Sequence, residues 1–268
     1  QSERLELRHL HKELAVASQL QTSMLPLQQP LFPGRSDIEA SGLMEPAAKV
    51  GGDLFDAFFV RERLLFFCIG DVSGHGIASA LFMARAIGLI RILAMNTPHP
   101  DRLLKKLNDR LCEHNDTFLF VTLFCAFLDL DSGRMVYANG GHCPPLLDQG
   151  GVLRELPLPK GPLVGALASA RFHPMIWQLA PGDALYCYTD GVTEAQAPSG
   201  EEFGEGRCRE LLATLAPGAD LQQALRALRL AVARFTCSET LEDDFTMLAV
   251  RRPAQPASPL HSPTETPP

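Results

Sequence analysis

The chain has 268 residues, 46% of them hydrophobic and 21% charged, a globular balance that excludes wholesale disorder. At ~150 residues per domain, this length fits one large domain or two small ones. The formal net charge of −7 disfavours an electrostatic grip on nucleic acid or an anionic membrane, since either needs a basic face.

Residues 1–25 read as a helix. Leu7, Leu10, Leu14, Ala17 and Met24 keep the 3–4 spacing of a heptad seam, with Gln21 filling one seam position. Three heptads are short for an independent coiled coil, so this is expected to be the end of a longer one, and the chain, which opens on Gln1, to be a fragment lacking an upstream part. Pro26, Pro30 and Pro33 stop the helix. Strands are expected at 38–44, 54–60 and 64–72, followed by a helix over 76–95 that is apolar nearly all round and therefore buried, and an amphipathic helix over 100–114. Further strands fall at 118–128, 134–138, 172–179 and 184–188. Helices near 204–215 and 221–235 precede a last strand at 245–250. Strand blocks separated by helix pairs argue for an α+β fold. From 253 onward proline dominates, and residues 253–268 are expected to form a disordered tail.

No signal peptide opens the chain, and the apolar run 118–128 is shorter than the ~18 residues that span a bilayer. The seven cysteines, Cys68, Cys112, Cys125, Cys143, Cys187, Cys208 and Cys237, include no CxxC pair, so zinc and disulfide frameworks lack support. A reducing cytoplasm is the simplest setting.

The chemistry lies where strands begin and end. GGDLFD at 51–56 opens a strand, and GDVSGHG at 70–76 closes the next. YTDGVTEA at 188–195 closes a later one, and EDDFT at 242–246 opens the last. Each places an aspartate at the edge of an apolar strand. An Asp-Gly pair taken singly is more often a plain turn. Several carboxylates brought together must take up protons or bind cations, because two of them ~4 Å apart repel by about 4 kcal/mol at an effective dielectric of 20. Hard oxygen donors without paired Cys or His favour Mg²⁺ or Mn²⁺ over zinc, and the neighbouring glycines let backbone carbonyls approach an ion. The 70–76 stretch is neither a dinucleotide fingerprint nor a phosphate-cradling P-loop, since its glycines are wrongly spaced and no Lys-Ser/Thr follows.

These motifs, with NGGHCPPLL at 139–147 and DDFTMLAV at 243–250, resemble the bacterial SpoIIE/RsbU-type serine phosphatases of the PPM (protein phosphatase 2C-like) superfamily. The resemblance covers roughly residues 13–251, and its first part, ELAVASQLQTSMLP at 13–26, looks like the linker helix of such proteins. It implies a four-layer αββα sandwich of two antiparallel sheets flanked by helices, with a linker at 1–26 and a phosphatase domain at 27–252. It further implies two Mn²⁺ or Mg²⁺ ions. Asp71 would bridge them, the Val72 carbonyl would reach the second, Asp190 and Asp243 would complete the first, and Asp53 would sit at the second. Asp244 ranks below Asp243 as a ligand, while Gly52, Gly191 and Glu194 would support the set. Asp53, Asp71 and Asp190 are the residues expected to carry catalysis, by a metal-bridged hydroxide attacking phosphorus in line. His75 and His142 are the tempting acid/base candidates, and a structural role is preferred for both.

By the same resemblance, the substrate is expected to be a phosphoserine or phosphothreonine on a STAS-domain partner. The heptad seam, and the direct continuity of the 76–95 helix with the turn holding Asp71 and Val72, add the expectation that residues 1–25 dimerise and bias the helices at 76–95 and 100–114. The fragment would be a cytoplasmic domain without membrane contact of its own, with a missing membrane-anchored sensor preferred over a receiver domain upstream. A catalytically silent module on the same fold is the alternative, but such a scaffold would be free to lose Asp53, Asp71, Asp190 or Asp243. A metal-dependent phosphodiesterase or nuclease lacks the basic channel it would need.

Overall fold

The computed structural model describes residues 2–215 and 218–254. Its frame is two five-stranded antiparallel sheets. The first runs β1 (Glu39–Glu45), β10 (Phe245–Arg251), β9 (Ala184–Tyr188), β6 (Leu146–Gln149) and β7 (Val152–Glu155). The second runs β2 (Leu54–Arg61), β3 (Leu64–Val72), β4 (Val121–Asp129), β5 (Arg134–Gly140) and β8 (Met175–Gln178).

Period-2 alternation explains the layers. On β3, Leu65, Phe67 and Ile69 enter the core between the sheets, while Phe66, Cys68 and Val72 face the opposite way into a helical layer. Strand β10 does the same, sending Leu248 and Val250 between the sheets and Phe245, Met247 and Ala249 outward. With both faces buried, such strands read as unbroken apolar runs. Each fully buried Phe or Leu contributes about 1.5–3 kcal/mol. Helices α2 (Ile77–Asn96) and α3 (Pro100–Cys112) cover the second sheet, and α5 (Gly204–Ala213) and α6 (Leu221–Thr236) cover the first. This is the αββα order that the family resemblance implies, within the α+β class read from the strand and helix blocks.

Some elements differ from expectation. Strand β4 starts at Val121 rather than 118, because the Asn115 side chain takes both peptide groups of Leu119, accepting from its N at 3.1 Å and donating to its O at 2.6 Å, and Phe118 is left at φ 55°. Pro174 holds off β8 until Met175. The β6–β7 hairpin was not anticipated, although Gly150-Gly151 between two short runs is a hairpin signal. Helix α2 is not buried all round. Phe82, Met83, Ala86, Ile87, Ile90 and Ala94 pack on the sheet, whereas Ile77, Leu81, Ile92 and Met95 are exposed. Among the described residues α2 is also the one helix long and apolar enough to cross a membrane, but its packed face belongs to the sandwich core.

Helix α1 (Ser2–Ser23) precedes the sandwich. Val16, Ala17 and Leu20 are exposed, Leu14 is half-buried, and among the helix residues whose side chains are described only Gln21, near its end, is buried. The seam residues Leu7 and Leu10, and most of the proline-rich segment 253–268, lie outside the residues whose side chains are described.

Candidate functional site

Antiparallel pairing brings the acidic turns together. Leu54 at the start of β2 pairs with Gly70 near the end of β3, so Asp53 and Asp71 lie at one end of the second sheet. Met247 near the start of β10 pairs with Tyr188 at the end of β9, so Asp190 and Asp243 lie at one end of the first. Asp190 opens a single helical turn, α4 (Asp190–Thr193), directly after β9. The two strand ends meet at the same end of the sandwich, as hydrogen bonds between them require.

Thr189 Oγ1 donates to Asp53 Oδ2 at 2.8 Å, and Thr246 N donates to Thr189 Oγ1 at 3.2 Å. Asp244 crosses between sheets as well. Its Oδ1 accepts from Ala47 N at 2.9 Å, and its Oδ2 from Gly52 N at 2.8 Å and Asp53 N at 3.4 Å. Val72 N donates to Gly52 O at 3.3 Å. The backbone is close-packed here. A Cβ on Gly52 would lie 2.8 Å from the Val72 carbonyl oxygen and 3.4 Å from Asp71 Oδ1, and one on Gly191 would lie 2.0 Å from Asp244 O. The two glycines therefore allow the turns to approach.

The carboxylates repel one another. Burial, then the charges of Asp190 and Asp243, raises Asp71 to about 7. Burial and then Asp71 raise Asp53 well above the usual range, opposed by the Thr189 hydroxyl. Asp243 is raised by burial, with Asp190 and Asp244 adding to it. Glu194 is raised by burial, then by Asp190, Glu202 and Asp243. Acids whose protonated form is favoured by burial and mutual repulsion, for want of counter-charge, are suited to a cation.

Asp71, Thr122, His142, Cys143, Asp190 and Glu194 line one open cleft, and Gly191, Glu194 and Asp243 also line an adjoining one. Among the residues lining these two clefts there is no lysine or arginine. His142 is buried with both nitrogens engaged, Nε2 at 3.0 Å from Tyr188 O and Nδ1 at 2.9 Å from Thr122 Oγ1. A carbonyl can only accept, so Nε2 carries the proton and Nδ1 accepts from the threonine. Burial lowers this imidazole to about 4, so it stays neutral and structural. His75 is exposed in the turn before α2. Burial, then Asp190, raises the Cys143 thiol, which is therefore no thiolate nucleophile.

Sequence reasoning gave no role to Thr189, Asp56 or Arg91. Buried Asp56, the second acid of GGDLFD, accepts from Arg91 Nε of α2 at 2.6 Å. A charge buried at that position requires a basic partner, which is the signal the sequence offered.

The donor set is entirely oxygen, Gly52 keeps space free before the Val72 carbonyl and Asp71, and the acids lack a counter-charge, so these residues fit a hard divalent cation. Among the described residues, no group of three or more His, Cys, Asp or Glu closes into a ready-made cage.

The fold is that of PP2C-like phosphatase domains. The SiaA-PP2C domain of Pseudomonas aeruginosa superposes with a TM-score of 0.81 at 20% identity, covering 92% of this chain and 98% of that one. The RsbU and RsbW domains of Rv1364c from Mycobacterium tuberculosis superpose with a TM-score of 0.70 at 26% identity, over 81% of this chain and 60% of that one. The family model described as Stage II sporulation protein E matches residues 61–253, and the chain belongs to this SpoIIE family. Similar curated proteins include Protein IcfG of Synechocystis sp., 29% identical over 90% of this chain, and Phosphoserine phosphatase RsbU of Bacillus subtilis, 26% identical over 91%. The chain spans 41% of the former and 71% of the latter.

Proposed function

We propose that the chain is the catalytic region of a divalent-metal-dependent protein-serine/threonine phosphatase, assigned to residues 27–252, with 1–26 as its linker and 253–268 as a tail. The observation that carries this is the convergence of acids from four separate segments at one end of the sandwich, with Asp71 raised to about 7 by burial and by Asp190 and Asp243. Relatives named as phosphoserine phosphatases support the reaction class.

Two Mn²⁺ or Mg²⁺ ions would supply an acidified water and neutralise charge on the transferring phosphoryl group. Asp71, central to the cluster, would contact both ions, with the Val72 carbonyl beside it. Asp190 and Asp243 would hold one ion and Asp53 the other. Asp244 has both oxygens committed to backbone amides, which supports a role as a clamp on residues 47–53 rather than as a ligand. Gly52 and Gly191 keep the turns close, and Glu194 borders the cleft with its charge partly suppressed by its neighbours. With no lysine or arginine among the residues lining the clefts and His142 held neutral by burial, phosphate binding would fall to the cations.

The substrate is proposed to be a phosphoserine or phosphothreonine on a STAS-type partner within a partner-switching pathway, with α1 pairing in a homodimer below an upstream sensor anchored in the inner membrane. Exposure of Val16, Ala17 and Leu20 supports the pairing. The test is release of phosphate from a phosphoserine STAS protein in Mn²⁺. Turnover by the wild type that is lost in Asp190→Ala supports the reading. Full turnover by that variant, or none by the wild type with any divalent ion, overturns it and leaves the binding-module alternative.

A further inference from the structure

Gln21 breaks the apolar seam of α1, and the fold gives it a specific occupation. Its side-chain amide meets the backbone of Gly51 twice. Nε2 donates to Gly51 O at 2.6 Å, and Gly51 N donates to Oε1 at 3.0 Å. The pair is buried, on a helix whose neighbouring positions Gln19, Leu20 and Thr22 are exposed. Two further contacts fix the end of the helix to the body. Arg91 Nη2 of α2 donates to Met24 O at 2.6 Å, and Leu25 enters the core beneath α2 and α3.

Gly51 is one residue from the groups that frame the carboxylates. A Cβ on it would lie 2.0 Å from Asp244 Oδ2, so its backbone packs directly against that clamp. Gly52 N holds the same oxygen, and Gly52 O accepts from Val72 N. With one hydrogen bond to the N–H and one to the C=O of Gly51, the Gln21 amide holds the two peptide planes that flank this residue.

We infer that Gln21 is a positioning residue for the candidate metal site: through the N–H and C=O of Gly51, it sets the placement of Gly52 and Asp53, and through Gly52 that of Val72. Resting on the phosphatase reading above, this inference deepens it. It puts the link from the linker helix to the acids in a direct side chain-to-backbone clasp, whereas the sequence alone suggested a route through α2 and α3. A rotation or lift of α1 by the upstream region would then reach Asp53 within two residues. Because Gln21 faces Gly51, the stretch of seam free to pair with a second copy ends before it.

The experiment compares wild type, Gln21→Ala and Gln21→Glu, with Gln19→Ala as the exposed control on the same helix. Gln21→Glu keeps the shape and the acceptor but turns the Nε2 donor into a carboxylate oxygen facing the Gly51 carbonyl, so it breaks one arm of the clasp without opening a cavity and remains informative if the alanine variant folds poorly. Mn²⁺ affinity is read by calorimetry, phosphate release by Mn²⁺ titration, and amide exchange at residues 51–53 by mass spectrometry. The inference predicts that both Gln21 variants bind Mn²⁺ about 10-fold more weakly, recover turnover at saturating Mn²⁺, and exchange faster at 51–53, with Gln19→Ala matching wild type. A lower melting temperature with Mn²⁺ affinity within twofold of wild type overturns it, since that is what a merely structural contact would give. Should the wild type take up no Mn²⁺, the phosphatase reading fails separately, and unchanged exchange at 51–53 in both variants overturns the clasp while faster exchange upholds it.

Discussion

The hydroxyl of Thr189 donates to the carboxylate of Asp53 across 2.8 Å, joining the end of β9 in one sheet to the start of β2 in the other. Both residues are almost fully buried. Removing the donor leaves a buried acid short of a partner, a loss of about 1–3 kcal/mol. Thr189→Val, which keeps the shape, should therefore lower the unfolding free energy by that amount, seen as a lower denaturation midpoint, and reduce metal-dependent turnover. Chemical denaturation alongside a phosphatase assay checks both, and an unchanged midpoint would mean that the bond contributes nothing net.

Mutual repulsion among the acids makes a prediction with opposite signs in the absence and presence of metal. Without metal, Asp71→Asn removes a charge that burial, Asp190 and Asp243 disfavour, so the variant should melt above wild type. With Mn²⁺ at 100 times its dissociation constant, the wild type should gain about 2.7 kcal/mol, roughly 5–10 °C for a domain of this size, and the variant much less. Differential scanning fluorimetry with and without Mn²⁺ reads both halves.

Adjacent acids should separate by role. Asp244 holds three backbone amides of residues 47–53, whereas Asp243, among the described residues, accepts only from Asp244 N, at 2.8 Å. Asp244→Ala should cost several kcal/mol of stability, because its orphaned amides are buried. Asp243→Asn should leave the melting temperature near wild type and abolish turnover. The reverse pattern would exchange the two assignments.

His142 gives a pH dependence. Its folded value of about 4 lies below the ordinary 6.5, so between these values the unfolded chain binds the proton and the folded chain does not. Stability from this group is therefore fully present above pH 6.5 and is lost as pH falls towards 4, by up to about 3 kcal/mol. Asp53 and Asp71 work in the opposite sense, since their raised values favour protonation in the folded state. The difference between wild type and His142→Gln, followed by denaturation from pH 7 to pH 4.5, isolates the histidine. A constant difference would contradict its burial as a neutral ring.

What the sequence made legible followed from local rules. Strand β3 lies where its apolar run places it, because burial on both faces leaves a continuous signal from Leu64 to Val72. The acidic turns were legible because aspartate beside glycine at a strand edge is conspicuous in one dimension. Asp244 and Thr189 were not, since their partners lie 192 and 136 residues away and hydrogen-bond direction exists only in the fold. Gln21 read as a flaw in a heptad seam because helical periodicity says which face a residue occupies and not what meets it. For α2, an apolar outer face hid which side packs on the sheet, as Leu81 and Phe82 are equally apolar yet only Phe82 is buried.

The central claim is that acids from four separate segments hold divalent cations at one end of the sandwich. Anomalous scattering from crystals of this chain soaked in Mn²⁺ tests it most directly. The account predicts two peaks bounded by Asp53, Asp71, Asp190 and Asp243, both lost in Asp71→Asn. Peaks elsewhere, or none in crystals of a protein that still hydrolyses phosphoserine, would contradict it.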